Sequence, residues 1–142
     1  MQLRQHPERF RSMSILALTH IPIVVPNQDE ALTWYTEKLG FVIREDNSDA
    51  EQGFRWLTIA PAGNSGTCFI LMTPHEPEDE KRIGNNGMCI LASDDVTADC
   101  DEFKENGVKI LDGPNQVGWG MTAIIADRYG NQYYLVQAPE AS

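Results

Sequence analysis

The chain has 142 residues, 42% of them hydrophobic and 23% charged, which allows one compact domain or two very small fused ones and excludes wholesale disorder. Eleven Lys and Arg stand against 21 Asp and Glu, a net charge of −10. Such acidity repels phosphate backbones and anionic lipid, so neither nucleic acid nor a membrane is an expected partner, and no apolar run approaches the roughly 20 residues needed to span a bilayer.

Residues 1–13 read as a polar N-terminal arm carrying Arg4, Arg9 and Arg11, without the apolar core of a secretory signal. Met13 is an equally good start. Ile15–Val25 (ILALTHIPIVV) is β-branched and apolar on both alternating faces, which predicts a covered strand. Leu18, His20, Pro22 and Val24 share one face; Ile21, Ile23 and Val25 share the other. Pro22 removes a ladder donor, so a bulge or an edge position is expected. A helix is expected over 28–39. Asn27 is its N-cap, Glu30 is in capping-box position, Ala31, Tyr35 and Leu39 form one stripe, and Gly40 is the stop.

FVIRED, FRWLTIAP and TCFILMTP read as three strands, with PAGNSG as the hairpin loop between the last two. Residues 75–83 form an acidic linker containing Glu76, Glu78, Asp79 and Glu80. GMCILAS is the next strand. DDVTADCDEFKENG is a capped helix with Val96, Cys100 and Phe103 on one face and Gly107 as its stop. VKILDGP, MTAIIAD and QYYLVQ are three further strands, with RYGN as the last turn. Cys68, Cys89 and Cys100 are odd in number and form no CxxC, the pattern of reduced packing thiols in a cytoplasm.

The second half repeats the first. Gly40 and Gly107 are 67 residues apart; so are Gly53 and Gly120, Gly63-Asn64 and Gly130-Asn131, and Asn27 and Asp94. Each half reads β-α-β-β-β. Neither half closes a core alone, so the two pack on each other or on another chain. The expected organisation is a single domain over 14–137, made of module one (14–74), the linker (75–83) and module two (84–137), with a tail over 138–142.

HIPIVVPNQDEALTWYTEKLGF in the first module, and DDVTADCDEFKENGV followed by DRYGNQYYLVQ in the second, together resemble the vicinal oxygen chelate superfamily. That group includes glyoxalase I, bleomycin-resistance proteins and extradiol dioxygenases. The resemblance covers Ile15 to Gln137. It implies an α+β fold of two tandem βαβββ modules whose strands form a curved mixed sheet around a central cavity. It also implies a homodimer, with a cavity that the partner chain can complete. The fold carries no particular reaction with it.

Metal-using members of the superfamily hold a divalent ion on four strand positions. The resemblance places these at His20, Leu71, Met88 and Tyr134, and only His20 is a fitting ligand. Leu71 has no donor, Met88 offers a soft thioether, and Tyr134 is a costly phenolate. A one-residue slip substitutes Ile70 or Met72, and Gly87 or Cys89, and restores neither a carboxylate nor a second histidine. No cofactor is therefore expected, with a divalent ion as the alternative.

His20 has two readings: a hydrogen-bonded residue of the cavity wall, or a general base or orienting donor in a metal-free site. No acidic partner for it is identifiable in the sequence. Tyr134 joins it as a candidate catalytic residue. Trp56, Leu71, Met88, Trp119 and Tyr134, with His20, make an apolar and aromatic lining suited to a small molecule. Arg55 reads as an anion anchor or an ordinary surface arginine. His75, Glu76 and Glu78 read as a solvated loop rather than a metal cluster.

Three functions follow. One is a metal-independent protein that binds an apolar or aromatic small molecule. Another is a divalent-metal lyase, isomerase or dioxygenase with displaced ligands. The third is a non-catalytic sequestering or sensing module.

Overall fold

The computed structural model describes residues 14–49, 51–64 and 66–138. The 1–13 arm and residues 139–142 of the tail lie outside the described residues. The first module runs β1 (His20–Val24), α1 (Gln28–Leu39), β2 (Phe41–Asp49), β3 (Phe54–Pro61) and β4 (Cys68–Met72). A 3-10 helix, Pro77–Arg82, occupies the acidic linker. The second module runs β5 (Cys89–Ala92), α2 (Val96–Glu105), β6 (Lys109–Val117), β7 (Gly120–Ala126) and β8 (Gln132–Gln137).

The two sheets have the same topology. The strand order is β1-β4-β3-β2 in one and β5-β8-β7-β6 in the other. In each, the first and last strands of the module pair in parallel and the remaining pairs are antiparallel. The fold is thus α+β, two βαβββ modules in tandem. Pro22 sits on the edge strand β1, where a missing ladder donor costs least.

Local chemistry accounts for the helix boundaries. The Asn27 side chain accepts from Glu30 N at 2.8 Å, closing the start of α1. Gly40, left-handed at φ 71°, donates its N–H to the Tyr35 carbonyl and ends it. The cap of α2 is Asp95, not Asp94: its carboxylate accepts from Ala98 N at 3.0 Å. The constant spacing therefore holds for the glycine stops and slips by one at the helix start. β1 is also shorter than its apolar pattern. Ile15, Leu16 and Leu18 remain largely exposed, and pairing begins only where Cys68 N donates to the Thr19 carbonyl.

Each sheet has a face packed under its helix and an open face. Ile21, Ile23, Leu57, Ile59, Phe69 and Leu71 of the first sheet, with Ala31 and Tyr35 of α1, enter the core. So do Ala123, Ile125, Tyr133 and Leu135 of the second, with Val96 and Cys100 of α2. This core runs unbroken between modules. Phe69 lies 6.0 Å from Tyr133 and Tyr35 6.2 Å from Tyr133, both edge-on.

A buried polar knot ties the halves together. Tyr35 Oη donates to Asp127 Oδ2 at 2.5 Å and contacts Tyr133 Oη at 2.6 Å. Asp127 also accepts from Asn131 Nδ2 and from the backbone N–H groups of Tyr129 and Asn131. Burial, Tyr133 and Asp127 push the Tyr35 phenol far above its ordinary range, so it stays protonated and serves as a donor. Nearer the surface, Tyr129 Oη donates to Glu30 at 2.9 Å and Lys38 Nζ to the Asn106 carbonyl at 2.8 Å. Among the described residues, no helix is long and apolar enough to cross a membrane.

Candidate functional site

The open face of the first sheet carries a polar and aromatic cluster. His20 of β1 and Trp56 of β3 meet edge-to-face with ring centroids 5.0 Å apart. Trp56 Nε1 donates to Glu45 Oε1 at 2.8 Å, and His20 Nε2 stands 3.9 Å from the same oxygen. His20 Nδ1 lies 2.9 Å from Thr19 Oγ1. β1 and β2 are the two outermost strands, yet their side chains meet across this face. Beside it, an open depression of about 530 Å³ is lined by Leu18, His20, Glu45, Thr67 and Cys68.

Glu45 is the acidic partner that sequence reasoning missed. A regular pairing of β2 with β3 would put Arg44 opposite Thr58. Instead the register shifts between Ile43 and Glu45, so Ile43 pairs Ile59 and Glu45 pairs Thr58. This bulge turns Glu45 onto the open face. A register shift falls at the matching place in β6, between Ile110 and Asp112, and puts Asp112 opposite Ile124. Glu45 and Asp112 are again 67 residues apart, so extending the repeat to acidic residues could have marked both.

On the open face of the second sheet, Trp119 Nε1 donates to Tyr134 Oη at 3.2 Å. Ile90 and Ile124 are the cross-strand neighbours of Tyr134. Trp119 is 61% exposed and Ile90 70% exposed, unusually high for large apolar side chains that each border Tyr134.

The structure thus brings His20 to Trp56 and Trp119 to Tyr134, but leaves the pairs on separate sheets. No hydrogen bond or ring contact joins them among the described residues. Two expected lining residues lie elsewhere. Leu71 is fully buried in the core beneath α1 and is not on the His20 face. Its register partner is Ile23, whereas His20 pairs with Cys68, and positions an odd number apart face opposite ways. Cys68, Ile70 and Met72 are the β4 residues on the His20 face. Met88 lies just before β5 in a left-handed conformation at φ 69°. It lines a cleft of about 410 Å³ between the modules with Ile21, Cys68, Phe69 and Cys89, and Ile90 takes the place beside Tyr134.

Other candidates resolve locally. Arg55 is engaged on both sides, with Asp46 bidentate at 2.9 Å and Asp29 at 2.7 Å, and holds the Asp46 carboxyl below its usual range. It is no free anion anchor. His75 stacks on Phe54 at 6.2 Å, and Asp79 is held low by accepting from the His75 and Glu76 backbone N–H groups. Burial raises the thiols of Cys89 and Cys100, which disfavours reactive thiolates.

The donor set of the first sheet's open face does not by itself fit a divalent ion. Zinc takes three or more protein ligands, and this face offers His20 and Glu45, the latter already engaged by Trp56. Among the described residues, no three His, Cys, Asp or Glu side chains come together as a metal cluster.

A sequence profile of the Glyoxalase/Bleomycin resistance protein/Dioxygenase superfamily matches residues 17–133. The chain belongs to that superfamily. Among its relatives, a protein of Shewanella frigidimarina is 34% identical over 125 residues, 85% of this chain and 93% of that one. A probable lactoylglutathione lyase of Vibrio parahaemolyticus is 26% identical over 92% of this chain and 96% of its own length. Among solved structures, TnmS3, an antibiotic binding protein from Streptomyces sp. CB03234, is 31% identical with a TM-score of 0.73, covering 89% of this chain and 99% of that one. The glyoxalase/bleomycin-resistance fold is therefore established for this chain, and it can support either catalysis or sequestration.

Proposed function

We propose that this protein binds an apolar or aromatic small molecule against its open sheet faces, without the superfamily's metal ion. The observation that carries the reading is the character of those faces: two indoles, a phenol and one imidazole, with too few ligands for a divalent ion. Likeness to an antibiotic binding protein supports it. His20 and Trp56 provide one wall and Trp119 and Tyr134 the other. Because the two walls lie on separate sheets, and Ile90 and Trp119 are so exposed, a homodimer that brings one chain's first sheet against its partner's second completes the site.

Metal content tests the metal-free reading: protein purified without chelator holds well under 0.1 ion per chain, and one tightly held divalent ion per chain overturns it. Equilibrium dialysis against 2-methoxynaphthalene tests the aromatic site. Binding is expected to fall at least fivefold in Trp56→Ala and Trp119→Ala.

A second reading, turnover, is favoured by the His20–Glu45 approach and by the lyase relative. In it, His20 acts as the base and Tyr134 as a donor. It predicts lactoylglutathione lyase activity abolished by His20→Ala. A metal-dependent version further predicts loss to chelator and recovery with nickel or zinc. Sequestration predicts binding with no turnover.

A further inference from the structure

Among the described residues, one buried side-chain polar atom of the first sheet has no partner. Thr58 of β3 is fully buried, and its hydroxyl makes no hydrogen bond among the described residues. Its neighbours Leu57 and Ile59 pack under α1, so strand alternation aims Thr58 at the open face. Glu45 is directly across the strands on one side and Ile70 on the other. The Trp56–Glu45 hydrogen bond runs diagonally past it, and His20 approaches that pair from β1.

A buried hydroxyl without a partner lowers stability, and native proteins keep few of them. Valine has almost the same shape and carries no such penalty. A hydroxyl retained here therefore points to a bond made when something is bound, a stability cost of the kind found at functional sites.

The surroundings define what that something is. Thr58 Oγ1 can donate and accept. Glu45 Oε1 is taken by Trp56, and Oε2 carries no hydrogen bond among the described residues. A ligand hydroxyl that displaces the side chains covering Thr58 satisfies both: it accepts from Thr58 and donates to the carboxylate. Beside this point an aromatic row leads away along the sheet. Trp56 lies 6.3 Å from Phe54, and Phe54 lies 6.2 Å from His75 at 13° to parallel. The row ends in a depression of about 220 Å³ lined by Phe54, Met72, Asp49 and His75.

We propose that Thr58 and Glu45 form the polar anchor of the ligand site, and that the ligand is a planar aromatic molecule bearing a phenol-type hydroxyl. The hydroxyl inserts beside Trp56 toward Thr58, and the ring system lies along the Trp56–Phe54–His75 row. This rests on the reading of the open face as an aromatic small-molecule site.

The test compares 2-naphthol with 2-methylnaphthalene, which matches it in ring system but has neither donor nor acceptor, by equilibrium dialysis. Wild type is expected to prefer 2-naphthol by about tenfold, the worth of one good hydrogen bond to a charged group. Thr58→Val is expected to cut that preference at least threefold, the bond to Glu45 remaining, and to raise the urea midpoint of the ligand-free protein. Thr58→Ser keeps the hydroxyl and keeps the preference, which covers the case in which the valine variant fails to fold. Equal binding of the two probes to wild type overturns the anchor and leaves the aromatic site standing. So does a Thr58→Val variant that retains the preference undiminished, or one that is less stable than wild type. Failure of both probes to bind overturns the aromatic site itself.

Discussion

Replacing Tyr35 by Phe removes one oxygen from the polar knot between the modules. That oxygen donates to Asp127 Oδ2 at 2.5 Å and lies 2.6 Å from Tyr133 Oη. Since Tyr35 gives its proton to the carboxylate, Tyr133 gives its own to Tyr35. The substitution breaks both bonds. Asp127 is only 5% exposed, so water does not take the vacated place. A hydrogen bond to a charged acceptor is worth about 1.5–3 kcal/mol, and a neutral one about 1 kcal/mol. The expected loss is therefore about 3 kcal/mol, kept from being larger by the three donors that Asp127 retains from Tyr129 and Asn131. Tyr133→Phe spares the bond to Asp127 and breaks only neutral ones, to Tyr35 and Asn86, and should lose about 1 kcal/mol. The double variant should lose little more than Tyr35→Phe alone, because the two changes share one bond. Urea denaturation followed by tryptophan fluorescence measures all three, with unchanged m-values as the sign that two-state unfolding holds. Equal losses for the two single variants, or a loss below about 0.5 kcal/mol for Tyr35→Phe, would refute the donor assignment.

The same knot sets a limit at alkaline pH. The phenols of Tyr35, Tyr133 and Tyr129 are raised by burial and their neighbours, so the folded chain holds protons that the unfolded chain releases near pH 10. Stability is full below about pH 10 and falls as pH rises beyond it; a urea midpoint that holds level from pH 9 to pH 11.5 would contradict this. Gly120→Ala places a Cβ 2.1 Å from the Gln137 carbonyl oxygen at a residue with φ 134°, where only glycine is comfortable. It should cost more than about 3 kcal/mol or prevent soluble expression, whereas Gly53→Ala, with open space around it, costs about 1 kcal/mol. Asp95→Ala should lose about 1 kcal/mol through the cap of α2, and Asp94→Ala close to nothing, by the same urea assay.

Much of the fold is written in local chemistry. Asn27 and Gly40 bracket α1 because a cap and a left-handed stop act within one turn of chain. The repeat is legible because positive φ calls for glycine at the same places twice, at Gly40 and Gly107 and at Gly53 and Gly120. Strand ends are less legible, since Ile15–Leu18 have strand composition but β1 forms only where β4 supplies partners. The sequence singled out His20, Trp56, Trp119 and Tyr134, which the structure places in two pairs, and misplaced a candidate where a single step of register decides the face. Leu71 fell to strand parity. Glu45 stayed hidden because a bulge, which leaves no mark in composition, moves it onto the open face. Thr58 stayed hidden because a threonine in a strand is ordinary until its hydroxyl is found alone.

The Tyr35–Asp127 link also bears on how such a chain could be recombined. Its donor is on the first module's helix, and its acceptor, with Asn131 and Tyr133, is in the last hairpin and strand of the second. A chimera that joins either half to a relative's other half within residues 75–83 keeps its sheets intact but separates these partners. Exchanges between relatives should therefore succeed where the position of Tyr35 travels with those of Asp127, Asn131 and Tyr133, so the four behave as one heritable unit although 98 positions separate its first member from its last.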